Sequence, residues 1–573
     1  MTVIATAGHV DHGKSSLVQH LTGTDPDRWR EEKQRGLTID LGFATMELPN
    51  GEHVSFVDVP GHIKFLRNML SGVGGIDGCV FVVSAIEGWK PQSEEHLRIL
   101  DLLGLSRGIV AITKSDLVDE ELLELAKMET EDRVIGTFLE GAPIIGTSTV
   151  TGEGVAQLRQ ELDRHITRTT TQDSSRPRLW VDRSFSPAGA GTVITGTLTD
   201  GTLSTGDEVV ITGASKPARV RSLQNHNTTV SSISPGNRAA INLVGVDHHE
   251  VGRGDCLLSP NSWHLTSKID AEIRVLDSIG HRVERRGAYF VYVGSAELET
   301  KIQILGGKHL EPGTSGHIRL YLDRPIPAQP GDRYILRESG RNETVGGGAF
   351  LDVDPLLPTT KAQPDTSTER LVQERSWVDA AHLSLITGST IEPTVGRWVV
   401  DASALAETSN ELRARIKDAG SHGLDLAQLD EKQRAIVDTT DDLVVTSTTV
   451  TIGQPVVDAD DHPWLSELRS AGFSPPSATG VDPADAARLV RQKLVVKRDG
   501  IFFASSTVHE AAVLLAENFA SKPDGLTVAE IRDIWATSRK YALALLGELD
   551  ETGITRRREN IRLPGPRLPA VFN

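Results

Sequence analysis

The chain has only two cysteines in 573 residues, and no apolar run in it approaches the roughly 20 residues that span a bilayer. Two thiols are too few for a disulfide framework. Cys79 lies inside the run Cys79-Val80-Phe81-Val82-Val83, and Cys256 near the end of a predicted β domain. Both are expected as small core residues rather than as a disulfide or metal pair, which fits a reduced, cytoplasmic setting. No basic stretch precedes the first apolar segment, so that segment reads as a strand and not as a leader. Positive charge is also short: 60 Lys and Arg stand against 78 Asp and Glu, a net charge of −18. That balance argues at first against nucleic acid. Affinity for phosphates is set by local patches, however, so the charge has to be read domain by domain. At about 150 residues per domain, the length predicts roughly four domains.

What is present is concentrated at the start. Val3-Ile4-Ala5-Thr6-Ala7 reads as a buried strand and runs into Gly8-His9-Val10-Asp11-His12-Gly13-Lys14-Ser15, with a helix predicted from Ser16 to Leu21. This is the phosphate-loop pattern. Its glycines let backbone N–H groups face phosphate oxygens, Lys14 adds a point charge, and Ser15 offers an oxygen to Mg2+. Asp11, His12, Gly13, Lys14, Ser15 and Ser16 are the expected phosphate contacts. Further on come Arg35-Gly36-Leu37-Thr38, Asp58-Val59-Pro60-Gly61-His62, and a strand ending in Thr113-Lys114-Ser115-Asp116. A carboxylate such as Asp116 can accept both guanine N1–H and the 2-amino group, a pair that adenine lacks. Pro143 to Ser148 is another strand, with Ser148 where a guanine-contacting loop sits. Turns at the carboxyl ends of parallel strands are where open α/β sheets bind ligands.

These motifs resemble the translation-factor GTPases, the family of elongation factor Tu. The resemblance implies GTP as the nucleotide and roles for individual residues. Ser15, Thr38 and Asp58 would serve Mg2+, the Gly61 N–H would sense the γ-phosphate, and His62 would position the attacking water. Thr113 stands where the family usually has asparagine, which removes an amide contact to the base and leaves selectivity on Asp116. His9 and His12 are read as loop-packing residues.

Residues 1–170 alternate strand and helix, as in a doubly wound sheet. After the polar run 167–175, residues 176–263 show short alternating strands punctuated by glycine, a β-barrel pattern. A second β domain follows over 264–355 and ends near Gly346-Gly347-Gly348. The stretch from Asp354 to Thr368, rich in Pro, Thr and Asp, reads as a flexible joint. Beyond it, 369–520 and 521–573 carry helices followed by short hairpins at Gln433–Val450, Ala486–Ala504 and Thr527–Leu563, suggesting about four tandem winged helices. From Lys522 onward nine cations meet seven anions, a net +2. Arg539 and Lys540 begin a helix and Arg556, Arg557 and Arg558 fall on the wing, where such modules touch a phosphate backbone. The plainer reading is a solvated charged face.

The fold class is therefore multidomain: an α/β P-loop GTPase domain, two β-barrels and winged helices. An elongation-factor body with such a tail resembles the bacterial selenocysteine-specific elongation factors, the SelB family. That resemblance rests also on Val181-Asp182-Arg183-Ser184-Phe185, Gly252-Arg253-Gly254-Asp255, Thr537-Ser538-Arg539-Lys540-Tyr541-Ala542 and Gly553-Ile554-Thr555-Arg556-Arg557. It implies ribosome-stimulated GTP hydrolysis and delivery of selenocysteinyl-tRNA to the ribosome at UGA, an mRNA hairpin held by the last winged helix, no membrane partner and a monomeric protein. A selenol is largely anionic at neutral pH, so a pocket that rejects seryl-tRNA can present cations that a neutral side chain leaves unmatched. Arg183 and Arg253 are the candidates. Asp182 either orients an arginine or takes the α-amino group, and all three residues also fit a surface ion pair on the barrel. Two competing functions share parts of this pattern: a GTP-gated winged-helix regulator of DNA, and another elongation-factor-like GTPase.

Overall fold

The computed structural model describes the chain apart from residues 1, 27–37, 39–40, 49–50, 52, 61–75, 166–175, 188, 190, 215, 226–227, 421–422, 447, 454–461 and 570–573. It forms two compact units, 1–375 with 381–391, and 376–380 with 392–573.

The first unit begins with β1 (Thr2–Ala7) and α1 (Lys14–Thr22), followed by β2 (Gly42–Glu47) and β3 (His53–Asp58). Next come β4 (Gly78–Ser84), α2 (Pro91–Leu102), β5 (Gly108–Thr113), α3 (Glu120–Val134), β6 (Ile144–Gly146) and α4 (Val155–His165). The sheet order is β2-β3-β1-β4-β5-β6, with every neighbouring pair parallel except β2 with β3. Strands covered on both faces need side chains that are mostly apolar. Accordingly β1, β4 and β5 are buried at every position. Ile4, Leu17, Leu21, Phe56, Val82 and Leu158 meet in the core between sheet and helices. Cys79 and Cys256 are buried and free, and burial pushes both thiol pKa values up.

The first barrel closes through strands Glu208–Ile211, Cys256–Leu258, Arg178–Phe185, Thr192–Asp200, Asn237–Val244 and Ala218–Asn225, the last pairing back to the first. Thr192–Asp200 alternates buried and half-buried along its whole length, as a barrel strand with one inward face must. The second barrel closes in the order Leu265–Val275, Ser315–Pro327, Ala296–Leu305, Tyr289–Val293, Arg333–Glu338, Glu343–Asp352. Its glycine run has a steric cause. A Cβ at Gly346, Gly347 or Gly348 would lie 2.4, 2.4 or 2.3 Å from the carbonyl oxygens of Arg274, Tyr334 and Glu272. Only bare backbone lets the closing strand approach both neighbours.

The stretch 354–368 departs from the expectation of a flexible joint. The Arg319 guanidinium donates to the Leu357 carbonyl at 2.8 Å, and Gln303 Nε2 to Thr359 Oγ1 at 2.7 Å. Arg375 and His382 both meet the Asp354 carboxylate, which they hold near pKa 2 although burial alone pushes it up. The segment lies against the second barrel because its polar groups find partners far away in sequence. The expected linker over 167–175 lies outside the described residues.

In the second unit each expected helix-plus-hairpin is present. Helix Glu431–Thr439 precedes the hairpin Leu443–Thr446/Thr449–Ile452, and Pro483–Arg491 precedes Val495–Arg498/Ile501–Ala504. Helix Arg539–Glu551 precedes Thr555–Arg558/Ile561–Pro564. A further small sheet pairs Trp377–Asp379 with Trp398–Val400. Trp535, Leu545, Leu546 and Leu549 anchor the last module's core.

Within the second barrel, Arg319 donates to both oxygens of Asp270, at 2.5 and 2.7 Å, with the side chains 5% and 2% exposed. Replacing Arg319 by Leu strands a buried carboxylate and is expected to cost about 3–5 kcal/mol. Urea unfolding should show that loss, and the double replacement with Asp270→Leu should recover most of it.

Candidate nucleotide site, barrel pocket and RNA-binding surface

The nucleotide site is assembled where β1 ends. The turn into α1 is unusual backbone: Gly8, Asp11 and Gly13 have φ of 130°, 61° and 87°. A Cβ on Gly8 would lie 2.1 Å from the Val82 carbonyl oxygen, so the loop passes too close to β4 for any other residue. Gly13 caps α1 with no side-chain hydrogen bond, which leaves the first N–H groups of the helix to a ligand. The Lys14 ammonium donates to the carbonyls of Gly8 and His9 at 3.1 and 2.7 Å, lying across the mouth of the loop. Ser16 and Asp11 are exposed on its rim.

Behind the loop lies a polar support that sequence reading only partly anticipated. Gly8 N–H donates to His96 Nδ1 at 3.1 Å, Val10 N–H to Gln92 Oε1 at 3.3 Å, and Ser84 N–H to His12 Nδ1 at 3.2 Å. His12 thus packs the loop, as expected of it. Thr113 Oγ1 donates to the His12 carbonyl at 2.6 Å. The hydroxyl at the usual asparagine position therefore grips the phosphate loop itself. His96 and Gln92 were missed, since nothing local on α2 marks them.

Ser15 Oγ lies 2.8 Å from Thr38 Oγ1 and donates to Asp58 Oδ2 at 2.6 Å, while Thr6 Oγ1 donates to Asp58 Oδ1 at 2.5 Å. Ser15, Thr38 and Asp58 supply oxygen donors only, at spacings near the edge of about 2.9 Å that an octahedral Mg2+ sphere implies. The set fits a hard divalent cation. Gly61 and His62, with Arg35 to Leu37, lie outside the described residues.

The two loops expected to face the base are held together by Ser115 N–H donating to the Thr147 carbonyl at 3.2 Å. Asp116 is exposed in a short turn at Ser115–Leu117. Lys114 has a left-handed backbone and its ammonium lies 3.4 Å from Glu87. The buried Ser148 hydroxyl accepts from the N–H groups of Val150 and Thr151, both at 3.1 Å, shaping the loop rather than facing outward.

On the first barrel, Asp182 is a buried carboxylate bound by Arg238, which donates to Oδ1 at 3.0 Å and also pairs with Oδ2, and by Thr195 Oγ1 at 2.6 Å. Burial pushes its pKa up, but Arg238 and Thr195 hold it below the ordinary range. Asp182 is thus paired with an arginine, Arg238, that the sequence did not single out. Arg253 Nε donates to the Asp182 carbonyl at 3.0 Å. Arg183 reaches the other way, to the Leu41 carbonyl at 2.6 Å. Beside them is a cavity of about 280 Å3 lined in part by Phe43, Arg183, Phe185, Thr195 and Arg238.

In the last module the cations divide. Arg562 binds Asp550 at 2.7 Å, Arg532 binds Asp533, and Lys522 pairs with Glu530, whose pKa falls to about 2. Arg539 and Lys540 at the helix start and Arg556, Arg557 and Arg558 on the wing are exposed, with no carboxylate partner among the described residues. The Asp550 carboxylate also accepts from Thr555 at 2.6 Å, fixing the root of that wing.

Two predictions follow from the loop's support. Thr113→Val removes the bond to His12 and should weaken guanine-nucleotide affinity by about 1–2 kcal/mol, roughly five- to thirtyfold, read by nucleotide titration. Burial, aided by Lys14 and His9, lowers the pKa of His12 and of His96 from 6.5 to about 3. The unfolded chain therefore takes these protons first as pH falls. Stability is lost between pH 6.5 and 3, by at most about 1.4 kcal/mol per pH unit for each histidine. Thermal melts of His96→Gln should show a shallower acid slope than the parent.

Comparison with known proteins agrees with this geometry stretch by stretch. Residues 1–168 match the elongation factor Tu GTP binding domain, and 191–258 match elongation factor Tu domain 2. Residues 270–356 match the β-barrel domain of selenocysteine-specific elongation factor, and 517–563 the winged helix of elongation factor SelB. The selenocysteine-specific elongation factor of Desulfomicrobium baculatum is 40% identical over 61% of this chain and 55% of its own. That of Escherichia coli K12 is 35% identical over 66% of this chain and 62% of its own, so each match spans less than two thirds of the relative. Among solved structures, a bacterial selenocysteine-specific elongation factor EF-Sec superposes with TM-score 0.66 and 25% identity, covering 98% of this chain and 100% of that one. SelB of Methanococcus maripaludis bound to the GTP analogue GppNHp gives TM-score 0.54 and 26% identity, over 62% of this chain and 80% of that one. The resemblance carried by the motifs is thus borne out: this chain is similar, from its GTP-binding domain to its winged-helix tail, to the selenocysteine-specific elongation factors.

Proposed function

We propose that the protein is a GTP-dependent elongation factor that delivers selenocysteinyl-tRNA to the ribosome at UGA codons while its last winged helix holds an mRNA hairpin. The observation that carries this reading is the union, in one chain, of a phosphate-loop domain, an arginine-rich barrel pocket and a separate exposed basic wing. It would act as a cytoplasmic monomer; no helix among the described residues is long and apolar enough to cross a membrane.

Phosphoryl transfer to water requires mainly positioning and charge neutralisation. Lys14 and the N–H groups of Asp11 to Ser16 bind the phosphates, Asp116 with Lys114 selects guanine, and Thr113 and Ser148 hold the loops around them. Ser15, Thr38 and Asp58 would hold Mg2+, which would supply positive charge to offset the negative charge of the phosphates. Gly61 senses the γ-phosphate and His62 orients the attacking water. In the barrel, Asp182 holds Arg238, and Arg183 and Arg253 contribute positive charge that favours a selenolate over a serine hydroxyl. Arg539, Lys540 and Arg556 to Arg558 bind phosphates of the RNA hairpin.

The full-length protein should hydrolyse GTP faster with ribosomes and a stem-loop RNA, and not respond to duplex DNA; a response to DNA alone would favour a transcriptional regulator. Arg253→Ala should weaken selenocysteinyl-tRNA binding far more than GTP binding. Replacing Arg556, Arg557 and Arg558 together by Ala should reduce the salt dependence of hairpin binding by roughly two to three counterions. An unchanged slope would place the RNA elsewhere.

A further inference from the structure

The loop between the first-barrel strands Asn237–Val244 and Cys256–Leu258 carries Asp247-His248-His249-Glu250. His248–Glu250 form a 3-10 turn closed by a capping box of Asp247 and Glu250. Asp247 Oδ1 accepts from the His249 N–H at 2.9 Å, and Glu250 Oε2 accepts from the Asp247 N–H at 3.1 Å. Ser184 Oγ donates to the His248 carbonyl at 3.2 Å, which ties the turn to the strand Arg178–Phe185. With the backbone fixed in this way, the side chains of Asp247, His248 and His249 come together. One ligand atom from each lies within 4.8 Å of the other two.

The donor set is selective. A tetrahedral cation with bonds of about 2.0 Å holds its ligand atoms about 3.3 Å apart. His248 Nδ1 and Asp247 Oδ1 already stand at 3.2 Å. The imidazole rings of His248 and His249 have centroids 3.8 Å apart, so two nitrogen donors sit beside one carboxylate. Two rings so close repel if both take a proton, whereas a dication is attracted by the carboxylate and bound by both nitrogens. The His249 N–H, with the neighbouring imidazoles, keeps the Asp247 carboxyl below its ordinary pKa range and hence ionised. Asp247 and His249 are exposed and His248 half-buried, so an ion reaches them without opening the fold. Imidazole nitrogens suit Zn2+ and Cu2+, while Mg2+ takes oxygen. The oxygen-only set of Ser15, Thr38 and Asp58 is therefore a different kind of site.

We propose that Asp247, His248 and His249 form a binding site for a borderline-soft transition-metal dication of the class of Zn2+ and Cu2+, separate from the Mg2+ position at the phosphate loop. The three side chains supply two nitrogens and one oxygen, and water completes the coordination sphere. The bound ion braces the loop that leads to Gly252 and Arg253. The site depends on neither the guanine nor the aminoacyl reading.

The test uses untagged full-length parent, Asp247→Asn, His248→Gln and His249→Gln proteins. Zn2+ is titrated by calorimetry with and without excess Mg2+. Cu2+-loaded protein is read by electron paramagnetic resonance, whose hyperfine splitting counts the bound nitrogens. The parent should bind one equivalent of Zn2+ whether or not Mg2+ is present, and its Cu2+ signal should show two nitrogens. Each histidine variant should lose about tenfold or more in Zn2+ affinity and show one nitrogen fewer. Asp247→Asn should lose affinity with the nitrogen count unchanged. GTP affinity should stay within about twofold of the parent in all three, because the two sites share no residue. A parent that binds no Zn2+ would overturn the proposal. So would any variant that binds as tightly as the parent, which places the ion among others of the chain's 18 histidines. Displacement of Zn2+ by Mg2+ would overturn it too, because it marks an unselective acidic patch.

Discussion

The first unit is organised around one carboxylate. Asp58 has no exposed surface, and a charge so placed needs hydrogen-bond donors or a cation around it. Thr6 on β1 and Ser15 on α1 both donate to it, and Ser15 also touches Thr38. Three pieces of chain separated by tens of residues are thereby held to one point: the strand before the phosphate loop, the helix after it, and the loop that Thr38 belongs to. Because the donors are all oxygens, the same arrangement that satisfies the carboxylate within the protein is ready for a hard cation. Asp58 also closes β3, so whatever changes at that point is felt directly in the antiparallel partner strand β2.

The phosphate loop is strained backbone, and its geometry is maintained from behind. His96, Gln92, His12 and Thr113 each contribute one hydrogen bond to its main chain or to the strand beneath it. A neutral imidazole can accept from an N–H while donating from its other nitrogen, which a protonated one cannot. Burial keeps His12 and His96 neutral at physiological pH, so the acceptors are present when needed. The loop's N–H groups are consequently aimed before any anion arrives, and less ordering remains to be done on binding.

Sequence reading succeeded where the physical cause is local. A strand buried on both faces is mostly apolar, and β1, β4 and β5 are written that way, with buried polar residues such as Thr6 and Thr113 where they serve the site. A barrel strand such as Thr192–Asp200 alternates because its two faces see core and surface. The wings are legible from turn residues, Asp499-Gly500 and Glu559-Asn560, both with a residue of positive φ. Reading failed where the cause is distant. Arg238 binds a carboxylate 56 residues away, and His96 supports a glycine 88 residues away. No periodicity announces either. The stretch 354–368 misled for the same reason: its composition resembles a linker, while its anchors, Gln303 and Arg319, belong to the barrel.

Charge shows how the two units can serve one task. A chain of net charge −18 repels polyanions in general, which suppresses binding wherever cations are already matched. In the last module Lys522, Arg532 and Arg562 are matched by Glu530, Asp533 and Asp550 and so contribute structure. Arg539, Lys540 and the Arg556–Arg558 strand remain directed outward from a helix start and a wing whose root Asp550 fixes. In the barrel, Arg238 is matched by Asp182 and acts by holding shape. Against the acidic background, Arg539, Lys540 and Arg556 to Arg558 are exposed cations without a carboxylate partner in the last module among the described residues. Selectivity then follows from where those groups are placed more than from how many there are.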